Sequence, residues 1–98
     1  MSSQRTNIPN SLNEHWMPFS DNKSFKKNPR LITDAKGVYL TNHLGKKMID
    51  ASSGLFCNPL GHGRKEITEA VSKQLDKLDY CQPFNQGYGG SFELATRI

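Results

Sequence analysis

Cysteine is scarce in this chain, with two among 98 residues, and two thiols form no disulfide framework. Reduced thiols in a cytoplasmic protein are therefore expected. Nor do Cys57 and Cys81 combine with His15, His43 and His62 in the Cys-x-x-Cys or His-x-x-x-His spacing of a zinc site, so no metal is expected. No apolar run approaches the roughly 18 residues of a membrane span, and the N-terminus lacks the apolar core of a secretory signal. No membrane partner is expected. Gly87, Gly89 and Gly90 precede a helical pattern without the Lys-Ser/Thr of a phosphate-cradling loop, and a flexible connection is expected there. Hydrophobic residues are 35% of the chain, with eight Gly in addition, slightly under the usual globular share of about 45–50%. The deficit lies in residues 1–14, which read as a flexible polar arm.

Acidic residues are also few. The net charge is +4 and the pI about 9.2. The imbalance sits in residues 1–50, which hold eight Lys or Arg against four acids, whereas residues 51–98 hold five of each. Lys23, Lys26, Lys27 and Arg30 form a loose cluster beside Pro29, with no basic helix or stacking aromatics in the pattern. A solvated face is expected rather than a nucleic-acid partner.

What is present is concentrated between Gly37 and Asp79. Val38-Tyr39-Leu40 and Lys47-Met48-Ile49 are short β-prone runs, and Asn42-His43-Leu44-Gly45 supplies the polar and Gly residues of a tight reversal. A small antiparallel sheet is expected between Leu31 and Asp50. From Arg64 to Leu78, Ile67, Ala70, Val71, Leu75 and Leu78 recur at spacings of three and four, which predicts an amphipathic helix. A helical turn near Asn10 to Trp16 and a second helix starting near Ser91 complete the expected elements. Between hairpin and helix, the loop Ser52 to Gly63 mixes Gly and Pro with Leu55, Phe56 and Leu60, apolar side chains that must meet a core, a partner or a ligand. His62, flanked by Gly61 and Gly63, has no acid or nucleophile at a recognisable spacing, so a structural hydrogen bond is its expected role.

These motifs carry a resemblance. Gly37-Val-Tyr-Leu40, Gly45-Lys-Lys, Ile49-Asp50, Ser53-Gly-Leu-Phe-Cys57, Gly61-His-Gly63 and the helix bearing Gln74 resemble, in that order, the N-terminal region of class III aminotransferases, which use pyridoxal 5'-phosphate. His15-Trp-Met-Pro-Phe19, the Ser-Gly-Leu-aromatic-Cys loop, and Leu78-Asp-Tyr80 leading to Phe84 resemble the ω-amino acid:pyruvate, or β-alanine:pyruvate, branch. The resemblance spans about residues 14–98. It implies an α/β chain (an α+β piece) that is the N-terminal part of a fold-type I pyridoxal-phosphate transferase, with a small antiparallel sheet plus helices. Residues 15–98 then form a segment of the small domain and the start of the large one. It further implies an amino donor and a keto acid as small-molecule partners and a homodimer or higher homo-oligomer.

The resemblance also assigns residues. Phe19, Leu55 and Phe56 are implied as apolar walls of the substrate pocket, and Phe84 as a contribution across the dimer interface to the neighbour's pocket. Relatives often carry Trp where this chain has Phe56, which keeps the flat apolar face and loses the indole donor; they commonly carry His-Pro where this chain has Tyr88-Gly89. Read without the resemblance, Phe19 and Phe56 are ordinary core aromatics. No catalytic residue is expected here. The Schiff-base lysine, the acidic partner of the pyridinium and the phosphate donors of the family lie beyond the matched region, and none of the nine Lys has the buried context that lowers an amine pKa. At 98 residues the chain reads as one piece of a longer enzyme, inactive by itself. A different class stays open: a non-enzymatic remnant or an interaction subunit pairing with a separately encoded remainder. Whether the coding sequence continues past Ile98 separates the two.

Overall fold

The structure, a computed structural model, describes residues 9–98. The expected arm over residues 1–14 therefore lies largely outside the described residues. The element order is α1 (Asn22–Lys27), β1 (Ile32–Lys36), β2 (Tyr39–Asn42), β3 (Lys47–Ile49), α2 (Ser53–Phe56), α3 (Lys65–Lys77) and α4 (Gly89–Arg97). The chain divides after Arg64 into two compact units.

The first unit is built on a three-stranded antiparallel sheet in the order β1-β2-β3. Lys36 pairs with Tyr39, so Gly37 and Val38 alone connect β1 to β2. Gly37 takes φ 59°, the positive value that the first central residue of a type II′ hairpin needs. The second hairpin is closed from within: the Asn42 side-chain oxygen accepts the amides of Leu44 and Lys46 at 3.0 and 2.9 Å. Its register, Tyr39 with Ile49, Leu40 with Met48 and Thr41 with Lys47, is the hairpin expected from the two β-prone runs. The β1–β2 register shifts between Ile32 and Asp34. Thr33, at that bulge, donates its hydroxyl toward the carbonyls of Thr41 and Asn42 at 3.3 and 3.4 Å.

Two expectations before the sheet are corrected. Residues 10–16 hold only bends and a turn, and the helix lies at Asn22–Lys27 instead. Asp21 caps it by accepting the Ser24 amide at 3.2 Å, a device that suits a helix start but gives little sequence signal over so short a run. The Lys23, Lys26 and Lys27 cluster thus does sit on a helix. Lys26 and Lys27 occupy its last turn, where the helix dipole favours cations, and Lys26 Nζ donates to the Asn13 carbonyl at 3.3 Å.

In the second unit, α3 falls where the apolar period predicts it, and α4 begins two residues before the expected Ser91. Gln74 links the two: its Oε1 accepts the Tyr88 hydroxyl at 3.0 Å and its Nε2 donates to the Leu78 carbonyl at 2.9 Å. Gly90 is required there because the Tyr88 ring occupies the space a Cβ would take. Replacing Gly90 by Ala is expected to displace the ring and break the Tyr88–Gln74 bond, read as a change in Tyr88 ring NMR shifts. No hydrophobic residue among those described is buried; Asn22 alone is, at 6% exposure. The apolar faces of both units are open, so polar closures rather than a core hold the local geometry.

Candidate functional site

Five non-glycine residues among those described have positive φ, and each is, or adjoins, a residue singled out above. Phe19, Ser53, Leu55 and Phe56 have φ of 52°, 52°, 57° and 67°, and Asn85, next to Phe84, has 59°. A side chain in this left-handed region costs roughly 1–2 kcal/mol per residue, and such conformations persist only where surrounding contacts over-determine them. Three of the four sequence-assigned pocket residues are therefore held against their own backbone preference, whereas the fourth adjoins Asn85, a residue type that tolerates the left-handed region.

The α2 segment is a left-handed turn. Gly54 at φ 58°, ψ 41° and Leu55 at φ 57°, ψ 56° lie at the centre of the left-handed helical well, and the Phe56 amide reaches the Ser52 carbonyl at 3.1 Å. Only Gly54 adopts this shape without penalty. The side chains of Leu55 and Phe56 end up in solvent, Phe56 at 86% exposure. Within this chain Phe19 and Phe56 belong to no core, because both are exposed. Phe19 borders a cleft shared with Phe25 and Arg30. Phe84 is exposed and belongs to the second unit, so the structure describes it apart from the other three.

The turn bearing Phe19 and the turn bearing Leu55 and Phe56 are each closed by a side chain lying outside them. Asn22 holds the turn bearing Phe19. Its Oδ1 accepts the Met17 amide at 2.7 Å, and its Nδ2 donates to the carbonyls of Met17 and Ser20 at 2.9 and 3.2 Å. Asp50 holds the turn bearing Leu55 and Phe56. Its Oδ1 accepts the Gly54 amide at 3.2 Å and the Ser52 hydroxyl at 3.3 Å, and its Oδ2 meets His62 Nε2 at 2.8 Å. Asn58 Nδ2 contacts the other ring nitrogen of His62 at 2.6 Å. His62 therefore has the structural hydrogen bond expected of it, and also the acid partner that its sequence neighbourhood did not reveal. Asn22 carries no signal in the sequence, and Asp50 enters there only through the Ile49-Asp50 motif, without a role. The available signal was Asp50-Ala-Ser-Ser-Gly54, a short polar run of the kind that folds back on its own backbone.

The His62 hydrogen bond, and after it the Gly54 amide, hold the Asp50 carboxyl below the ordinary aspartate range; partial burial opposes them and Ser52 adds to the lowering. The sign follows from linkage. A carboxyl whose pKa is lower in the folded state contributes stability above its unfolded pKa of about 3.9, and that stability disappears as pH falls through the folded value. The Asp50 carboxyl carbon and the Gly54 amide are expected to titrate together in NMR spectra, with a midpoint below the ordinary aspartate value. Asp50→Asn removes the transition. A midpoint at or above that value contradicts the geometry.

A Schiff-base lysine needs a desolvated amine, yet every Lys is exposed except Lys26, which is half-buried and donates to a backbone carbonyl. No group of three or more His, Cys, Asp or Glu among the described residues could hold a metal ion, and no helix among them is long and apolar enough to cross a membrane.

No family model matches the chain. Over 88 residues it is 50% identical to the β-alanine–pyruvate aminotransferase of Pseudomonas aeruginosa, an alignment covering 90% of this chain and 20% of that protein. It is 48% identical over 87 residues to the ω-amino acid–pyruvate aminotransferase of Pseudomonas putida, covering 89% and 19% respectively. Among solved structures, the ω-transaminase of Pseudomonas jessenii in complex with PMP matches with a TM-score of 0.78 at 25% identity, over 85% of this chain and 19% of that one. The chain thus spans about a fifth of the length of the curated relatives it matches.

Proposed function

From its homology to the N-terminal fifth of the β-alanine–pyruvate and ω-amino acid–pyruvate aminotransferases, we propose that this chain supplies substrate-facing turns to an enzyme of that family. The complete enzyme transfers an amino group from an ω-amino acid or amine to a keto acid such as pyruvate. Pyridoxal 5'-phosphate, when bound there, supplies the electron sink for amino transfer; no residue described in this chain is assigned to it.

One observation carries the reading: Leu55 and Phe56 are exposed on a left-handed turn that Asp50 and His62 hold shut. Strain retained in an exposed apolar loop favours a functional role, because residues held in sparsely populated conformations cluster at active sites and ligand clamps. Phe19, Leu55 and Phe56 are proposed as apolar walls of the substrate pocket. Phe84 is proposed to complete the pocket of a neighbouring subunit in a homodimer of a cytoplasmic enzyme. Residues 15–98 are proposed as a segment of the small domain with the start of the large one. The open apolar faces of both units favour completion by further protein, whether continuous with this chain or separately encoded.

Two measurements test the proposal. With pyridoxal phosphate and borohydride, the purified chain is expected to show only weak labelling scattered over surface lysines. Joined to the remainder of the P. aeruginosa β-alanine–pyruvate aminotransferase in place of that enzyme's own first segment, it is expected to support transfer from β-alanine to pyruvate. Stoichiometric labelling of one Lys in the chain alone, or a folded, cofactor-loaded hybrid without transaminase activity, overturns the reading.

A further inference from the structure

We propose that Asp50, His62 and Asn58 form a hydrogen-bonded clasp that sets the left-handed Ser53–Phe56 turn, making His62 a positioning residue for the side chains of Leu55 and Phe56. Its relevance to substrate choice rests on the function proposed above; the clasp itself is a property of this chain and is tested separately.

The proton arrangement follows from donors and acceptors. An ionised carboxylate only accepts, so the 2.8 Å contact between Asp50 Oδ2 and His62 Nε2 places a hydrogen on Nε2. Nδ1 then carries a lone pair, which accepts from Asn58 Nδ2 across 2.6 Å. The neutral Nε2–H tautomer satisfies the whole set. Asn58 donates to His62, His62 donates to Asp50, and Asp50 also receives the Gly54 amide and the Ser52 hydroxyl.

The clasp is mounted on the sheet. His62 and Gly37 exchange both backbone hydrogen bonds, at 2.9 and 2.8 Å, and the Asp50 amide donates to the Val38 carbonyl at 2.8 Å. Both ends of the loop are thus fixed to the β1–β2 turn, and the side chains close it across the middle. The approach depends on Gly61, whose φ is 91° and whose Cβ, if present, would lie 3.3 Å from the Gly37 carbonyl oxygen. Four consecutive residues with positive φ do not persist in an exposed loop on local preference alone. The Asp50 bond to the Gly54 amide is the contact that reaches into the turn, and His62 orients the carboxylate that makes it.

The test is NMR of the full 98-residue chain. The His62 ring nitrogens are expected to show the Nε2–H tautomer, and Leu55 and Phe56 the strong intraresidue amide-to-Hα contacts of positive φ. His62→Gln, whose Oε1 can accept from Asn58 while its Nε2 donates to Asp50, is expected to keep the turn. His62→Leu is expected to lose those contacts and to speed Gly54 amide exchange by about tenfold, as loss of one charge-assisted hydrogen bond implies. The contacts between β1, β2 and β3 persist in both. Asn58→Ala leaves the backbone pairing with Gly37 intact and is expected to mix the His62 tautomers; it decides the matter if His62→Leu also unfolds the sheet. An intact turn in His62→Leu, failure of Gln to rescue while the sheet persists, a mixture of tautomers in the unaltered chain, or a chain lacking the turn altogether each overturns the clasp. Failure of the functional reading is read elsewhere, in donor selectivity after changing Phe56, and leaves these signals untouched.

Discussion

In the hybrid enzyme, replacing Phe56 by Ala is expected to change relative kcat/KM between small and bulky amino donors by roughly ten- to two-hundredfold, the range that about 1–3 kcal/mol of apolar pocket contact produces. The direction follows from volume: the smaller side chain favours the bulkier donor. Little stability should be lost within the chain itself, because Phe56 is 86% exposed and contributes to no buried core. A core phenylalanine behaves otherwise, costing about 3–5 kcal/mol on truncation to Ala. A lower melting temperature with unchanged donor ranking would therefore place Phe56 in packing and remove it, with Leu55, from the proposed pocket. Phe56→Trp is the reciprocal change: the larger indole fills more of the pocket and adds an N–H donor, so it is expected to favour small donors and those offering an acceptor.

The elements legible in the sequence were those whose signals are local and periodic. Ile67, Val71, Leu75 and Leu78 mark α3 by spacing alone, and Asn42 to Gly45 marks the second hairpin because its turn chemistry lies within a few residues. The α1 helix escaped because six residues are too few to show a period, and its strongest signal is a single capping contact from Asp21. The shape of the candidate site was illegible for another reason. Ser53-Gly54-Leu55-Phe56 contains one glycine, and nothing in the other three residue types announces a left-handed backbone; that conformation is imposed from Asp50. The partnership of Asp50 with His62 in turn depends on a loop closing on the Gly37 turn, a long-range event with no fixed sequence spacing. Resemblance could point to Phe19, Leu55 and Phe56 as pocket residues, but not to the polar side chains that hold them in place.

Replacing Leu75 by Asp is expected to have very different effects in the chain alone and in the hybrid enzyme. In the isolated chain Leu75 is 56% exposed, so the change removes little burial and costs on the order of 0.5 kcal/mol in helix propensity; helicity by circular dichroism should fall only slightly. The apolar face of α3 is nevertheless too regular to be a solvent face, since Ile67, Val71 and Leu75 share one stripe and all are exposed here. If further protein covers that stripe, the same substitution buries an unpaired carboxylate, a change that typically costs about 3 kcal/mol or more. The expected result is a hybrid that unfolds at markedly lower temperature or fails to assemble, beside an isolated chain that is almost unaffected. Lys73→Glu, at a helix position outside the stripe, should be nearly neutral in both. Equal losses for Leu75→Asp in the two settings would mean that the stripe stays open in the complete enzyme, and that α3 takes its stability from its own turns rather than from what it docks against.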